Sequence, residues 1–376
     1  MGTAHQILAD PPTSLTDADV AAAVAVLRTG DLGGPDHPEV GRFEALLAEQ
    51  SRVAHAVAVN SGTAAIHCIL RAANIGPGDE VIVPAHTFIA TATPVLMVGA
   101  TPVVVDVEED TYCIDPVAVR AAVSERTRAV IAVHLNGHPA AADELPNDLP
   151  LISDACQAHG ATWRGIPVGA LGIAAAFSFW QDKLITAAGE GGAVLTSDTR
   201  LAGMVRLLRS HAQQRIDGGP DSHHIDLGYN YRLTGVQAAV GRSQLSRLPD
   251  LVEDRRTRAL RLAALLADVP GLRPPVTRSG AGHVFWRFVV ALDTERFRAG
   301  RDGLRAALAA EGVACAPRYP VPLTRQPVLS STARFTPCPV TESLADRLLT
   351  LPLPSTMEGV DQLAAAVRRA CTAERR

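Results

Sequence analysis

The chain has 376 residues, of which 47% are apolar and 20% are charged, and its formal net charge is −4. This length and composition favour a folded protein with one large core and a smaller second domain over a disordered or fibrous chain. A slightly acidic chain without a basic stripe is a poor partner for phosphate backbones, so we expect no nucleic-acid binding.

The first predicted elements are helices, and a regular alternation of strands and helices follows them. Thr16 can cap a helix over residues 15–30, which Gly30 would end, and a second helix begins near Pro38. Strands are then predicted at 56–59, 80–84, 102–107, 129–134 and 150–155, and helices near 62–74, 87–98, 116–124 and 198–209. This alternation is typical of a mostly parallel sheet covered on both faces, which binds ligands beyond the carboxyl ends of its strands.

The pattern changes after a predicted helix over Leu233–Leu248. A long helix near 250–268, one isolated strand over His283–Leu292 and helices at 294–312 and 358–374 follow. We therefore predict an α/β fold with a large domain over residues 1–248 and a smaller C-terminal α+β domain over residues 249–376. The arginines of 255–261 are expected on a solvated helix face.

No feature of the chain predicts a membrane segment. The first residues lack a basic region that leads into an apolar core, so we expect no signal peptide. The uncharged stretch Val81–Val105 is interrupted by prolines and is read as strand, helix and strand. Six scattered cysteines without CxxC pairs indicate reduced thiols and a cytoplasmic protein.

One residue stands apart in the composition: of the 35 Lys and Arg residues, only Lys183 is a lysine. A surface cation can be either residue, but arginine stays protonated and cannot act as an amine nucleophile. Composition alone leaves open whether Lys183 is a leftover surface lysine or a position that requires an amine. A P-loop or a kinase is excluded because each needs a lysine in another sequence context.

Three polar segments follow predicted strands. Asn60-Ser61-Gly62-Thr63 leads into a helix, where free backbone N–H groups can bind an anion or simply form a cap. Asp154 ends an apolar strand, and Ser178 ends another strand just before Lys183. One rim of the sheet would thus carry an anion site, an acid and a lysine. Pyridoxal 5'-phosphate (PLP) requires these three groups, because it binds through a phosphate cradle, an acid at its pyridine nitrogen and a lysine Schiff base.

The same segments resemble the DegT/DnrJ/EryC1/StrS family of PLP-dependent aminotransferases, which have the type I aminotransferase fold. The similarity extends in family order from about residue 58 to 241 and is carried by the following stretches: VNSGTAAIHCIL, GDEVIVPAHTFIATATPVLMVGATPVVVDV, ISDACQAHGA, FSFWQDKLITAAGEGGAV and LGYNYRLTGVQAAVG. The resemblance implies a PLP-dependent transaminase, with pyridoxamine phosphate as the intermediate form of the cofactor.

The resemblance also implies roles for individual residues. Lys183 would bind the cofactor and shuttle the proton, and Asp154 would face the pyridine nitrogen. The other implied contacts are Gln157 at the phenolic oxygen, Phe88 on the ring face, Gly62, Thr63 and Ser178 at the phosphate, and Asn230 at the phosphate of the neighbouring subunit. Since Asn230 would act across an interface, a homodimer with shared active sites is expected.

By family analogy, the amino donor is expected to be glutamate or glutamine. The acceptor is expected to be a keto sugar linked to a nucleotide, in amino-sugar or antibiotic biosynthesis. A keto-cyclitol or amino-shikimate acceptor, as in aminohydroxybenzoate synthases, is the alternative within the family. A non-catalytic regulatory or scaffold protein with the same fold and a lysine Schiff-base enzyme without cofactor are further alternatives, which the combination of Lys183, Asp154 and Ser178 disfavours.

Several polar residues remain ambiguous in the sequence. His86 could contact substrate or be a packed ring, and the loop between Lys183 and Gly189 looks one residue longer than the family's. The spacing of His134 and His138 resembles a metal-ligand pair, but Gly137 makes helical ligand geometry unfavourable, so no metal is expected. Arg232 or Arg318 could bind a substrate carboxylate or phosphate, although structural ion pairing is the simpler expectation for both.

Overall fold

The computed structural model describes residues 15–216 and 221–375. The helices are α1 Asp17–Thr29, α2 Pro38–Ser51, α3 Gly62–Ala72, α4 Thr93–Met97, α5 Pro116–Ala122, α6 Thr199–Leu208, α7 Gly235–Leu245, α8 Leu248–Leu266, α9 Gly300–Ala310, α10 Pro339–Arg347 and α11 Met357–Ala373. The strands of three or more residues are β1 His55–Val59, β2 Glu80–Pro84, β3 Thr101–Val105, β4 Thr127–Val133, β5 Leu151–Asp154, β6 Ala174–Ser178, β7 Gly192–Thr196, β8 Gln213–Arg215, β9 Ser222–His224, β10 Phe288–Leu292 and β11 Leu348–Leu351. Two-residue strands lie at 162–163, 166–167, 272–273, 281–282, 316–317 and 334–335.

The large sheet has eight strands in the order β1, β7, β6, β5, β4, β2, β3 and the short strand Arg334–Phe335. Strand β7 is antiparallel to both of its neighbours, and every other neighbouring pair is parallel. The carboxyl ends of β1, β2, β5 and β6 therefore meet at one edge, together with the first residue of β7. This confirms the predicted mostly parallel α/β sheet and places the polar segments after β1, β5 and β6 side by side.

Both faces of the large sheet are buried, as its apolar strands require. In β1, Val57 and Val59 belong to the core layer under α3 and α6, whereas Ala56 and Ala58 belong to the opposite layer with α2. Successive side chains of a strand point to opposite faces, so each strand contributes to both layers. The helix caps follow the sequence prediction: Thr16 caps α1, and Gly30 ends it with a φ of 75°.

The C-terminal part contains a four-stranded antiparallel sheet rather than one isolated strand, so that prediction was wrong. Strand β10 pairs with β11 and with Leu272–Arg273, and β11 also pairs with Ala316–Pro317. The partners are too short or too irregular to show a period-two pattern in the sequence. The short strand Arg334–Phe335 returns to the large sheet and pairs with β3, while the boundary at residue 248 stays a prediction.

Two other local predictions were wrong. The helix predicted at 87–98 is a short 3₁₀ turn at Ile89–Thr91 followed by α4, because Pro94 has no N–H to continue an earlier helix. The arginines of α8 are not all solvated: Arg258 is buried and donates to the carbonyl oxygens of Leu353 and Pro354. No helix within the described ranges is long and apolar enough to cross a membrane.

Candidate active site

A cavity of about 1080 Å³ opens at the carboxyl edge of the large sheet. Seven of the eight residues that the sequence analysis named line it: Gly62, Thr63, Phe88, Asp154, Gln157, Ser178 and Lys183. Residues from the C-terminal half, among them Trp286, Arg318 and Tyr319, close the opposite wall. The fold therefore brings together segments that are widely separated in sequence.

The first wall of the cavity is the N-terminus of α3. Ser61 caps this helix by accepting a hydrogen bond from Ala64 N, which leaves the N–H groups of Gly62 and Thr63 directed away from the helix. A Cβ on Gly62 would lie 2.9 Å from Ser178 Cβ. Glycine is thus required where the helix end meets β6, and the N–H groups with the Ser178 hydroxyl form a cradle for an anion.

Asp154, at the end of β5, is the buried acid of the cavity and is 6% exposed. Its Oδ2 accepts a hydrogen bond of 2.8 Å from Thr91 Oγ1, and its Oδ1 accepts one of 3.2 Å from Cys156 N. These bonds fix the carboxylate, so it can serve as a positioned partner for a cationic group of a ligand.

Lys183 lies in the loop that joins β6 to β7, and its Nζ is 4.1 Å from the centroid of the Trp286 ring. Burial lowers the pKa of Lys183 to about 8; the guanidinium groups of Arg318 and Arg287 also lower it, whereas Asp154 raises it. A lowered pKa increases the fraction of neutral amine at physiological pH, and the neutral amine is the nucleophile.

Hydrogen bonds of Thr186 fix the conformation of the loop after Lys183. Thr186 Oγ1 donates to the carbonyl oxygen of Phe179 and accepts from Gly189 N. Ala188 has a φ of 55° and Gly189 a φ of 116°, so the chain turns sharply here before β7. A Cβ on Gly192 would lie 2.3 Å from Ser61 O, which explains why the loop ends on glycines beneath the α3 cap.

Gln157 is 5% exposed, and its side-chain amide is held by three partners. Its Oε1 accepts from Asn136 N at 3.0 Å and from Arg318 Nη2 at 3.1 Å, and its Nε2 donates to the Tyr319 hydroxyl at 3.0 Å. Gln157 also lines the cavity, so its fixed side-chain amide lies next to the space that a ligand would occupy.

Two of the named residues are exposed. Phe88 lines the cavity and is 57% exposed, so much of its side chain is accessible. Asn230 does not line the cavity; its backbone oxygen accepts a hydrogen bond from Asn60 Nδ2. A role of Asn230 toward a neighbouring subunit stays a prediction.

The histidines that were ambiguous in the sequence are packed rings. His86 is fully buried against Tyr319 and Tyr112, and burial lowers its pKa to about 3. His138 Nδ1 lies 2.8 Å from Pro139 O, and its Nε2 accepts from Arg278 N, so both ring nitrogens are engaged by the protein. Within residues 15–216 and 221–375, no group of three or more His, Cys, Asp or Glu is placed to hold a metal ion.

The donor set of this cavity fits PLP. The cradle at the N-terminus of α3, where a Cβ would not fit, suits the phosphate of the cofactor. The buried carboxylate suits the ring nitrogen, and the amine of lowered pKa suits the aldehyde carbon. The fold and the site together define a PLP-dependent enzyme with a reactive lysine.

Comparison with known proteins identifies the class more closely. The model of the DegT/DnrJ/EryC1/StrS aminotransferase family matches residues 14–368. A UDP-N-acetyl-3-dehydro-alpha-D-glucosamine 3-aminotransferase of Acidithiobacillus ferrooxidans is 41% identical over 337 residues, which cover 87% of each chain. The dTDP-3-amino-3,4,6-trideoxy-alpha-D-glucose transaminase of Streptomyces venezuelae is 41% identical over 327 residues, 85% of this chain and 83% of the relative.

Among solved structures, a 3-amino-5-hydroxybenzoic acid synthase superposes with a TM-score of 0.90 at 31% identity, over 99% of this chain and all of the other. The chain belongs to the DegT/DnrJ/EryC1/StrS aminotransferase family. It is therefore a PLP-dependent transaminase with the type I aminotransferase fold.

Sequence reasoning named Arg318 but missed the other residues of the C-terminal half that line the site, Trp286, Arg287 and Tyr319. Trp286 and Arg287 precede strand β10, and Tyr319 follows the short strand Ala316–Pro317. The segment VFWRF places an aromatic ring beside a cation just before a strand, a signal that could have drawn attention to Trp286. Nothing in the sequence indicated that this segment would reach Lys183, because the contact joins two segments that are far apart along the chain.

Proposed function

We propose that this transaminase moves an amino group from glutamate or glutamine to a keto sugar linked to a nucleotide, as a step in the biosynthesis of an amino sugar. The observation that carries the proposal is the single cavity that holds Lys183, Asp154 and the α3 cradle. Two relatives at 41% identity are named as transaminases of nucleotide-linked sugars, and this supports the choice of acceptor.

PLP, when bound, supplies an electron-withdrawing ring that weakens the bonds at the α-carbon of an amino acid. Asp154 would hold the proton on the ring nitrogen, because its fixed carboxylate favours a cation beside it. The cradle formed by Gly62, Thr63 and Ser178 would anchor the phosphate, Phe88 would cover one face of the ring, and Gln157 would donate to the phenolic oxygen.

Lys183 would act both as the attachment point and as the proton carrier. Its neutral amine would take the proton from the α-carbon of the donor and, in the second half-reaction, deliver a proton to the former carbonyl carbon of the acceptor. A lowered pKa suits both tasks, because a group that titrates near the working pH can accept and release a proton with little loss.

The second candidate is transfer to a keto-cyclitol or amino-shikimate acceptor. Its support is the similarity over nearly the whole chain to a 3-amino-5-hydroxybenzoic acid synthase. We further propose a homodimer in which the exposed Asn230 reaches the phosphate of the neighbouring subunit; the cytoplasmic location stays a prediction.

The acceptor can be tested in two half-reactions. The PLP-loaded protein is first treated with L-glutamate or L-glutamine, and the change in cofactor absorbance is recorded. After removal of the donor, nucleotide-linked keto sugars and keto-cyclitols are added separately. Recovery of the original spectrum with a nucleotide-linked keto sugar would support the first choice. Recovery only with a cyclitol ketone or an amino-shikimate-type ketone would replace it with the second candidate.

A further inference from the structure

Trp286 brings an aromatic ring against the reactive amine of Lys183, although the two residues are far apart in the chain. Lys183 Nζ lies 4.1 Å from the centroid of the ring, well within the distance of about 6 Å at which a ring face attracts a cation. Trp286 is 6% exposed, so little water weakens this attraction. Because tryptophan is the aromatic residue that attracts cations most strongly, the contact can influence both the position and the protonation of the amine.

The same side chain also contacts the backbone of the loop that carries Lys183. Trp286 Nε1 donates a hydrogen bond of 2.7 Å to the carbonyl oxygen of Asp182, the residue directly before Lys183. One indole thus contacts the loop beside the base of the lysine side chain and contacts the amine at its tip. These two contacts restrict where the amine can lie in the cavity.

The segment that carries Trp286 is fixed by its surroundings. From α8, Arg255 donates to the carbonyl oxygen of Phe285 at 2.6 Å and to that of Trp286 at 2.8 Å. Gly137 has a φ of 96° and packs so closely on this segment that a Cβ there would lie 2.8 Å from Trp286 N. The backbone from which the indole extends is therefore held by two separate parts of the chain.

Two guanidinium groups lie near the same ring and act on the amine in the opposite direction. Arg287 Cζ and Arg318 Cζ lie 4.8 Å and 5.0 Å from the ring centroid. Burial above all, and the charges of these two groups in addition, lower the pKa of Lys183 to about 8. The electron-rich ring face favours the ammonium form and so opposes this lowering. A proton carrier must hold its proton as well as release it, and the ring contributes to the holding.

We propose that Trp286 is a positioning residue for the reaction: its ring face holds the amine of Lys183 whenever the amine is not bonded to the cofactor, and it stabilises the proton that the amine then carries. This inference rests on the proposed role of Lys183 as the proton carrier and deepens it. Trp286 acts through Lys183 and not on the substrate. Its ring keeps the amine in one place and raises the protonated fraction at the working pH.

The test weakens the attraction of the ring for a cation with little change in its shape. Tryptophans that carry one, two, three or four ring fluorines are incorporated at position 286, because each fluorine withdraws electrons from the ring face. The same series at position 163 is the matched control. Trp163 is also buried, but its ring contacts the guanidinium of Arg164 at 5.5 Å instead of the reactive amine. Circular dichroism verifies that each protein is folded.

The pKa of the amine can be measured directly, because Lys183 is the only lysine of the chain. The protein is produced with lysine that is isotopically labelled at Cε, so NMR detects a single labelled side chain. It is loaded with pyridoxamine 5'-phosphate, which carries its own amino group and leaves Lys183 unbonded. The Cε chemical shift is then recorded against pH. Reaction of the PLP-loaded protein with L-glutamate or L-glutamine, followed by absorbance, tests the proposed function separately.

We expect the pKa of Lys183 to fall with each added fluorine at position 286, by about 0.4–1.5 units in total, which is the size of a cation–π contact. The series at position 163 should leave this pKa unchanged. An unchanged pKa along the series at position 286, or an equal fall along both series, would overturn the inference. If no amino acid reacts with the PLP-loaded protein, the proposed function fails, whereas a pKa that falls only along the series at position 286 would still support the contact of Trp286 with the amine.

Discussion

Replacing Arg318 by glutamine should make the Lys183 amine less reactive at neutral pH, and this effect can be measured at one residue because the chain has no other lysine. The structure assigns Lys183 a pKa of about 8, lowered mainly by burial and further by the neighbouring guanidinium groups. Protonated lysine is unreactive, so the rate of amine modification should rise as the pH approaches that value and level off above it.

The size of the Arg318 contribution follows from the geometry around Trp286. Lys183 Nζ and Arg318 Cζ lie 4.1 Å and 5.0 Å from the same ring centroid, so their separation cannot exceed the sum of these distances. Two like unit charges about 9 Å apart repel by about 1.8 kcal/mol at an effective dielectric constant of about 20. Loss of this repulsion stabilises the protonated amine and lowers the neutral fraction about 20-fold.

The assay uses the protein after removal of PLP. An amine-reactive reagent is added at a series of pH values, and mass spectrometry quantifies the modified peptide that contains Lys183, separately from the N-terminal peptide. R318Q should react roughly an order of magnitude more slowly than the wild type at neutral pH. The control variant R206Q, which removes an exposed arginine from α6, should match the wild type. A wild-type profile that rises only near the ordinary lysine pKa of 10.5, or identical profiles for all three proteins, would refute this account of the site.

Three further predictions concern the cradle, the acid and the buried rings. Gly62→Ala should lower the free energy of unfolding by about 1–3 kcal/mol and weaken PLP binding, because the added Cβ would lie 2.9 Å from Ser178 Cβ. The control variant Gly203→Ala places its Cβ in open space on a helix and should be neutral or stabilising. Denaturant titration measures both effects. Asp154→Asn should keep the fold, measured by circular dichroism, but reduce turnover by about 10²- to 10³-fold, because it removes charge beside the ring nitrogen. Burial lowers the pKa of His86 from 6.5 to about 3, so its contribution to stability is complete above pH 6.5 and is lost as the pH falls toward 3. His86→Phe should therefore reduce the slope of the unfolding free energy against pH in this range by about 1.4 kcal/mol per pH unit. An unchanged slope would contradict the burial of a neutral ring.

The large sheet and its polar edge could be predicted closely because the sequence signals that specify them are local. Apolar strands with polar ends, such as the one that finishes at Asp154, place their last residues on one edge of a parallel sheet regardless of the rest of the fold. Helix caps at Thr16 and Ser61 likewise depend only on nearby residues. The position of Lys183 at this edge, just after Ser178, therefore follows from the local sequence.

The opposite wall of the cavity could not be predicted in the same way. Trp286 contacts Lys183, and Tyr319 contacts Gln157, although the paired residues are more than 100 positions apart in the chain. No pattern in the sequence indicates which of such distant segments will meet. Arg318 was recognised as a possible anion-binding residue, but ion pairing was the simpler expectation. Only the structure shows that its partners are Asn136, Gln157 and Tyr319, none of which is charged.

The most direct test of the central claim is to trap the lysine with its cofactor. The protein purified with PLP is reduced with borohydride, digested and analysed by mass spectrometry, and the Lys183→Ala variant is treated in parallel. The account predicts a phosphopyridoxyl adduct on the peptide that contains Lys183, a loss of that adduct when L-glutamate is added before reduction, and no side-chain adduct in the variant. A wild-type protein that binds PLP but gives no adduct at Lys183, or a variant that still completes transamination at the wild-type rate, would contradict it.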